Sequence, residues 1–297
     1  ASSFQRLTPD FVLTVADRFE TMSTAIAATY MNISLIHVQG GEISGNIDDR
    51  VRHAITKLSD IHFACTKSSR ERIIKMGESP DRVFNFGCPS IDIALSTNKE
   101  ITDSRIPPDS GTGDLINWND PYLLLVQHPV TTSFGNGFDQ INASLSALSC
   151  FSDYQKIVLW PNSDAGSDDV AKGIRVFREV NGNHNRFHFY RNFSPENYIR
   201  VLSNAACVIG NSSSFIRDGA ALGVPAVIVG DRQNNREIDH NVMFSDYDSK
   251  DIESKIKKQL NHGPYQASDR YGVGNAGEKI AQAIAELGTI DQKVMTY

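Results

Sequence analysis

The sequence predicts an α/β protein with two domains, each built on a parallel β-sheet. Short apolar runs alternate with amphipathic stretches from one end of the chain to the other. The apolar runs are continuous, which is typical of strands buried on both faces of a parallel sheet. The chain has 297 residues, of which 40% are hydrophobic, and this is enough for two cores of ordinary size.

The first half of the chain predicts four strands separated by helices. Strands are expected at 11–16, 34–38, 61–66 and 82–86, and helices at 19–31, 47–59 and 67–76. Four strands are few for a doubly wound domain, and the chain opens on a helical remnant, SSFQRL, ahead of the first strand. We therefore expect the N-terminal domain to be truncated.

A polar stretch at 97–120 separates the two halves. It contains Pro107-Pro108 and two glycines, which are typical of a linker. We place the domain boundary here, with an N-terminal domain at 1–105 and a C-terminal domain at 106–297, whose last helix packs back on the first domain. The second half predicts strands at 122–127, 156–160, 187–191, 205–210 and 225–229, and helices near 136–150, 168–181, 194–203, 213–222, 249–261 and 275–287.

The composition of the chain argues against several classes of binding partner, namely nucleic acid, membrane and metal. The net charge is −6 and the chain has no basic block, which argues against nucleic-acid binding. No apolar run approaches the length of a membrane span. The four cysteines lie far apart without a CxxC pair, a pattern that favours a reduced, cytoplasmic protein without a metal-ligand cluster.

Polar side chains follow most of the predicted strands. In open parallel sheets, ligands bind outside the carboxyl ends of the strands. The residues at these ends carry carboxylates, an imidazole, amides, hydroxyls and guanidinium groups: Asp17, Arg18, Gln39, Glu42, His128, Asn162, Asp164, Asn211, Ser212, Ser213, Asp231 and Arg232. The sequence thus predicts a polar ligand-binding site along these strand ends.

The stretch GNSSSFIRD, residues 210–218, places hydroxyls where a predicted buried strand ends and a helix begins. A helix N-terminus has unpaired N–H groups and a partial positive charge, so added hydroxyls make a site for phosphate. The simpler interpretation is that one serine caps the helix. Together with Arg232 and His128, the segment favours phosphate binding. Asp218, one turn into the helix, is placed to accept both ribose hydroxyls, or is a solvated helix charge.

Two other candidate groups have structural interpretations as well. His128 follows an apolar run, and its strand-end position favours ligand contact over a purely structural histidine. Asp48 and Asp49 open a helix, where a favourable interaction with the helix dipole is as good an explanation as catalysis. Arg52 either steadies neighbouring carboxylates or faces solvent.

The combined motifs HVQGGEISGNIDDRVRHAITKLSDIHFACT, QHPVTT, WPNSDAGS, GNSSSFIRDGAALGVPAVIVGDRQ and YGVGNA resemble those of the hydrolysing UDP-N-acetylglucosamine 2-epimerases. These are the bacterial sialic-acid pathway enzymes and the epimerase half of the animal epimerase/kinase. The resemblance covers nearly the whole chain. It implies two Rossmann-like domains of the glycosyltransferase-B type with an active site in the cleft, a homo-oligomer (dimer or tetramer), and no metal or other cofactor.

The resemblance also implies the reaction and the partners. UDP is eliminated from the UDP-sugar across C1–C2, and water adds to the glycal-like intermediate to release N-acetylmannosamine. Catalytic positions implied by the family motifs are Asp17, Asp48, His128, Gln39 and Glu42. Substrate-binding positions are Arg18, Asn162, Phe193, Ser212, Ser213, Asp218 and Arg232, with Phe193 where the backbone meets uracil and the serines at the diphosphate.

The chain departs from the family at two positions. Gln39 stands where the family usually has glutamate, and a neutral amide is no base, so the proton transfer falls to Asp17, Asp48 or Glu42. Asp218 replaces a ribose-binding glutamate with a shorter acid. Three alternatives follow: the same reaction on a UDP-2,4-diacetamido-trideoxy sugar, a glycosyltransferase of the same fold, or a non-catalytic UDP-sugar-binding module.

Overall fold

Most strands and helices occur in the order that the apolar pattern predicts, but the helix at Pro89–Ser96 was not predicted. The computed structural model describes residues 1–107, 110–181, 186–288, 290, 293 and 294. The strands are β1 (Phe11–Val15), β2 (Ser34–Val38), β3 (Ile61–Ala64), β4 (Val83–Asn85), β5 (Thr112–Gly113), β6 (Tyr122–Val126), β7 (Gln155–Leu159), β8 (Phe187–Tyr190), β9 (Cys207–Gly210), β10 (Ala226–Val229) and β11 (Val242–Ser245). The helices are α1 (Ser2–Leu7), α2 (Phe19–Tyr30), α3 (Ile47–Leu58), α4 (Lys67–Lys75), α5 (Pro89–Ser96), α6 (Gly137–Ser149), α7 (Ser167–Asn181), α8 (Pro195–Ser203), α9 (Ser214–Leu222), α10 (Ser249–His262) and α11 (Ala276–Glu286).

The chain divides into two compact units. Unit 1 comprises Ala1–Asp92 and Asp269–Tyr297, and unit 2 comprises Ile93–Ser268. The first change of unit falls within α5, earlier than the domain boundary predicted between residues 105 and 106, and α11 groups with unit 1. The domain boundary itself stays a prediction.

Unit 1 contains a four-stranded parallel sheet in the order β1-β2-β3-β4. Successive residues of a strand point to opposite faces, so β2 contributes Leu35 to one core and Ile36 to another. Leu35 packs with α2 and α3, while Ile36 and Phe63 pack with Ile280 of α11. Helices therefore cover both faces, which explains the continuous apolar runs of these strands.

Unit 2 contains a seven-stranded sheet in the order β11-β10-β9-β6-β7-β8-β5. All pairs are parallel except β5–β8. The central strand β6 is buried along its whole length. The order of the strands in the sheet reverses at β6, because β7 and β8 lie on one side of it and β9 and β10 on the other. Such a reversal opens a crevice outside the strand ends, where ligands bind.

Two strands were missed by the sequence pattern. β11 reads VMFS, and of its residues only Ser245 is buried, because the strand lies at the edge of the sheet. Its apolar run, VMF, is only three residues long. β5 is two residues long, antiparallel and exposed, and it lies within the stretch predicted as a linker. Among the described residues, no helix has the length and apolar character needed to cross a membrane.

Gly210 ends β9 in a conformation that suits only glycine. Its φ is +129°, and a Cβ built on it would lie 2.0 Å from the Val126 carbonyl oxygen of β6. A contact that short displaces the backbone, because real Cβ atoms do not approach so closely. The close spacing of β9 and β6 at the site edge therefore depends on this residue.

We predict that Gly210→Ala destabilises unit 2 by more than about 3 kcal/mol, from steric displacement added to backbone strain. Gly135→Ala is the matched control, because Gly135 also has positive φ (+89°) but nothing lies within 4 Å of its Cβ position; its expected cost is about 1 kcal/mol. Urea unfolding followed by tryptophan fluorescence measures both, since Trp118 and Trp160 lie in unit 2. Equal losses would refute the steric argument.

Candidate functional site

A cavity of about 440 Å³ opens at the carboxyl ends of the unit 2 strands. Loops after β6, β7, β8 and β9 and one residue each of α8 and α9 form its wall. The lining residues are Val126, His128, Leu159, Trp160, Pro161, Asn162, Arg191, Asn192, Tyr198, Ser212 and Ser214. Predicted residues His128, Asn162 and Ser212 thus lie together. Outside this wall lie the other predicted substrate-binding residues, which are Arg18, Phe193, Ser213, Asp218 and Arg232.

Asn211 fixes the backbone of His128 through two hydrogen bonds. Its Oδ1 accepts from the His128 N–H at 2.7 Å, and its Nδ2 donates to the His128 carbonyl at 2.8 Å. The Asn211 carbonyl in turn accepts from Arg232 Nη1 at 3.3 Å and from Gln233 Nε2 at 3.0 Å. One buried asparagine therefore links the loops after β6, β9 and β10, a function that the sequence did not reveal.

The His128 ring has a defined tautomer. The Asn162 backbone N–H donates to Nδ1 at 3.2 Å, so Nδ1 is an acceptor and the neutral ring carries its proton on Nε2. The Asn162 side chain donates to Asp164 Oδ2 at 2.5 Å, and Arg232 Nη2 lies 3.5 Å from the same oxygen. His128 is therefore held as an Nε2–H donor.

The serines at the start of α9 do not form a side-chain cap at the N-cap position, although Ser212 Oγ accepts from the Ser214 backbone N–H at 3.4 Å. Ser213 occupies the N-cap position, yet no side-chain capping bond forms there. Ser212 Oγ lies 2.8 Å from Ser214 Oγ, which lies 2.5 Å from the hydroxyl of Tyr198. Capping, the simpler interpretation of the segment, is therefore wrong for Ser213. Ser214 and Tyr198 were not predicted, because a residue on α8 meets this segment only through the tertiary fold.

Two other predicted residues, Asp218 and Phe193, belong to unit 2 but not to the cavity wall. Asp218 on α9 is buried, with 7% of its surface exposed. Phe193 packs on Tyr190 with 4.7 Å between the ring centroids. In the wall itself, Trp160 offers an aromatic surface and Arg191 a guanidinium group. The cavity thus combines neutral donors with apolar and cationic groups.

Unit 1 gathers its own group of acids around the buried guanidinium of Arg52. Only 1% of Arg52 is exposed. It pairs with Asp17 after β1, with Asp49 at 2.6 Å, and with the Glu42 carbonyl at 2.8 Å. Of the two sequence interpretations of Arg52, the steadying of carboxylates is confirmed.

The two acids that open α3 differ. Asp49 accepts from the Ser44 amide at 2.8 Å, the Ser44 hydroxyl at 2.9 Å and the Gly45 amide at 2.8 Å. Burial by itself raises the pKa of Asp49, but the hydrogen bonds from Gly45 and Ser44 outweigh it, and the pKa lies below its ordinary value. Asp48 is half-buried. Asp49 is half-buried as well, and its hydrogen bonds to Ser44 and Gly45 make it a structural acid.

Gln39 is nearly buried and adopts an unusual backbone conformation, with φ +66°. Its Nε2 donates to the Cys88 Sγ at 3.3 Å. Glu42, three residues on, is 3% exposed. Arg18 behaves differently, because its guanidinium is exposed and pairs with Glu20 at 3.1 Å. Arg18 therefore does not belong to the group around Arg52.

Comparison with solved structures identifies the fold. The UDP-GlcNAc 2-epimerase of Methanocaldococcus jannaschii, crystallised with UDP-GlcNAc and UDP, matches with a TM-score of 0.80 at 17% identity, over 96% of this chain and 78% of that chain. The Neisseria meningitidis UDP-GlcNAc 2-epimerase bound to UDP-GlcNAc matches with a TM-score of 0.75 at 18% identity, over 96% and 79%. The predicted α/β class, with parallel sheets of the Rossmann and glycosyltransferase-B type, is confirmed.

Sequence comparison identifies the family. The model of the UDP-N-acetylglucosamine 2-epimerase family matches residues 1–285. The UDP-N,N'-diacetylbacillosamine 2-epimerase (hydrolyzing) of Legionella pneumophila is 34% identical over 289 residues, which are 96% of this chain and 73% of that protein. The chain therefore belongs to the UDP-N-acetylglucosamine 2-epimerase family and is an enzyme.

His37 on β2 makes the stability of the folded chain depend on pH. It is fully buried; Nε2 lies 2.9 Å from the Ala16 carbonyl, next to Asp17, and Nδ1 lies 3.3 Å from Thr56 Oγ1. Burial lowers the pKa of His37 to about 4. The folded state therefore holds a neutral ring while the unfolded chain takes up a proton near pH 6.5. The resulting stability is complete above pH 6.5 and is lost as the pH falls toward 4.

We predict that, between pH 7.5 and 5.5, the wild type loses about 1 kcal/mol more stability than His37→Gln, since each pKa unit corresponds to about 1.4 kcal/mol. Denaturant unfolding followed by far-UV circular dichroism at each pH provides the comparison. His240→Gln is the control, because the His240 side chain is 97% exposed. Parallel pH profiles for the wild type and His37→Gln would contradict the prediction.

Proposed function

We propose that the protein is a hydrolysing UDP-N-acetylglucosamine 2-epimerase. A base removes the C2 proton of the sugar, the C1–O bond breaks, and UDP leaves with the bonding electrons. Water then adds its hydroxyl to C1 and a proton returns to the opposite face of C2. The products are UDP and N-acetylmannosamine, with one water consumed.

The unit 2 cavity is the observation that carries this proposal. It presents the Nε2–H donor of His128 and the Ser212 hydroxyl at the N-terminus of α9. Such donors suit a diphosphate that gains charge as it leaves, because they are fixed before the reaction. Asp218 and the segment around Phe193 are assigned to ribose and uracil, and Arg232 and Asn162 support the phosphate-binding loops.

The acids of unit 1 are assigned to the sugar. Removing the weakly acidic C2 proton needs a well-placed base, and the neutral Gln39 leaves Asp17, Asp48 and Glu42. Carboxylates also stabilise the positive charge that develops at C1. Arg52 keeps Asp17 in position, as its ion pair indicates, and Asp48 lies in the first turn of α3.

The alternative substrate is a UDP-2,4-diacetamido-trideoxy sugar. The relative from Legionella pneumophila, at 34% identity, is named for UDP-N,N'-diacetylbacillosamine, which supports this alternative. A relative from Neisseria meningitidis at 28% identity is named for UDP-N-acetylglucosamine. The two substrates differ at C4 and C6, away from the C1–C2 chemistry, so the same residues serve both.

We also propose a cytoplasmic homo-oligomer that supplies sialic-acid synthesis. The four cysteines are free thiols, which is typical of a reducing compartment. Phe19 and Tyr30 of α2 are exposed at 65% and 89%, and exposed aromatic side chains favour association. A 35% identical relative from Escherichia coli is named as a polysialic acid biosynthesis protein.

We predict that UDP-N-acetylglucosamine in D₂O yields equal amounts of UDP and free N-acetylmannosamine with deuterium at C2. The label follows from removal of the C2 proton and its replacement from solvent. Proton NMR measures both products, and the 4-acetamido-6-deoxy analogue is tested in parallel to choose between the two sugars.

Other outcomes identify other functions. A UDP-linked epimer would indicate non-hydrolysing epimerisation, and sugar transfer without exchange at C2 would indicate a glycosyltransferase. Binding of UDP without turnover of either sugar would indicate a binding module. Each of these results would refute the hydrolysing assignment.

We predict that Asp17→Asn and His128→Ala each lower kcat/KM by about 10²–10⁴, the usual contribution of an acid or base group. Asparagine still accepts a hydrogen bond from Arg52, so the fold survives. Steady-state kinetics and thermal melting separate activity from stability. Asp81→Asn and His240→Ala are matched controls at exposed positions. Rates near wild type in both test variants would remove the site assignment.

A further inference from the structure

Three hydroxyl groups form a chain along the wall of the unit 2 cavity. The Tyr198 hydroxyl on α8 lies 2.5 Å from Ser214 Oγ, and Ser214 Oγ lies 2.8 Å from Ser212 Oγ. All three residues line the cavity. Tyr198 thus reaches Ser212 through Ser214.

The number of hydroxyl protons limits the direction in which the hydroxyls donate to one another. Three hydroxyls carry three protons, and two of them are used within the chain. The Ser212 oxygen also accepts from the Ser214 backbone N–H at 3.4 Å, so it receives bonds from inside the protein. A phenol is a stronger donor than an alcohol, and burial, followed by the Asp218 charge, raises the pKa of Tyr198 so that it stays protonated.

The favoured direction runs from Tyr198 to Ser214 to Ser212, which leaves the Ser212 proton for the cavity. In the reverse direction, the proton of the half-buried Tyr198 hydroxyl needs an acceptor outside the chain, and the Ser212 oxygen turns its lone pair toward the ligand. A lone pair repels phosphate, whereas a hydroxyl proton attracts it.

We propose that Tyr198 is a positioning residue for phosphate recognition, because its hydroxyl sets the direction of the chain and makes Ser212 a donor to an anionic ligand oxygen. This inference rests on the proposed function, in which a nucleotide diphosphate occupies the cavity. It gives a residue of α8 a part in phosphate binding through the two serines at the start of α9.

Tyr198→Phe tests the inference, since the ring remains in the wall and only the hydroxyl is removed. We expect the Kd for UDP to rise roughly tenfold, the effect of one hydrogen bond to a charged group. The Kd for uridine, which has no phosphate, should change less than about twofold. Isothermal titration calorimetry on the full chain measures both ligands. A purely packing function for Tyr198 would weaken both ligands alike or neither.

A double-mutant cycle tests the route through Ser212. Ser212→Ala should weaken UDP binding, and adding Tyr198→Phe to it should have no further effect, because the donor that Tyr198 orients is already absent. If the two losses multiply instead, Tyr198 acts independently of Ser212 and the inference is wrong.

Tyr122→Phe is the matched control. The Tyr122 hydroxyl is buried in unit 2 and donates to the Val201 carbonyl at 2.8 Å, but Tyr122 is outside the described cavity wall. Its loss should lower the melting temperature and leave UDP binding unchanged. A wild type that does not bind UDP would overturn the proposed function and this inference together, whereas equal UDP affinity of wild type and Tyr198→Phe would overturn only the inference.

Discussion

Parallel strand pairing is the constraint on which the arrangement of functional residues depends. Two parallel strands are joined by a crossover connection that brings the chain back to the starting edge of the sheet. Every strand of such a sheet therefore ends at the same edge. In unit 2, this places the residues after β6, β7, β9 and β10 beside one another, although they are far apart in sequence. Asn211 then joins three of these loops by side-chain hydrogen bonds. The backbone topology brings the loops together, and the asparagine fixes their positions.

The same constraint explains which part of the site could be predicted from sequence. His128, Asn162 and Ser212 directly follow apolar runs, so their shared edge follows from the strand pattern. Tyr198 lies on a helix whose packing against α9 is set by the tertiary fold, and no local pattern marks it. The distinction between Asp48 and Asp49 likewise depends on which carboxylate turns toward the Ser44 and Gly45 amides. Strand ends are thus predictable, whereas side-chain networks are not.

The two groups of residues differ in their electrostatics. The unit 2 cavity offers hydroxyl, amide and imidazole N–H donors to an anion, together with the positive charge of Arg191 in its wall. In unit 1, the carboxylates of Asp17, Glu42 and Asp49 surround one guanidinium group, and the charges of all three raise the pKa of Arg52, although burial opposes them. A fixed positive charge among acids holds them in position while leaving an excess of negative charge, which suits the proposed reaction, in which positive charge develops on the sugar.

Gln39 fits this distribution of charge. Its side chain is nearly buried and donates to the Cys88 thiol, so a carboxylate at that position would place a negative charge away from water and lose this hydrogen bond. Removing such a charge from water is costly unless it is paired. The amide avoids this cost and keeps a hydrogen bond. In the proposed reaction, proton abstraction is therefore assigned to Asp17, which pairs with Arg52, and to Asp48 at the start of α3.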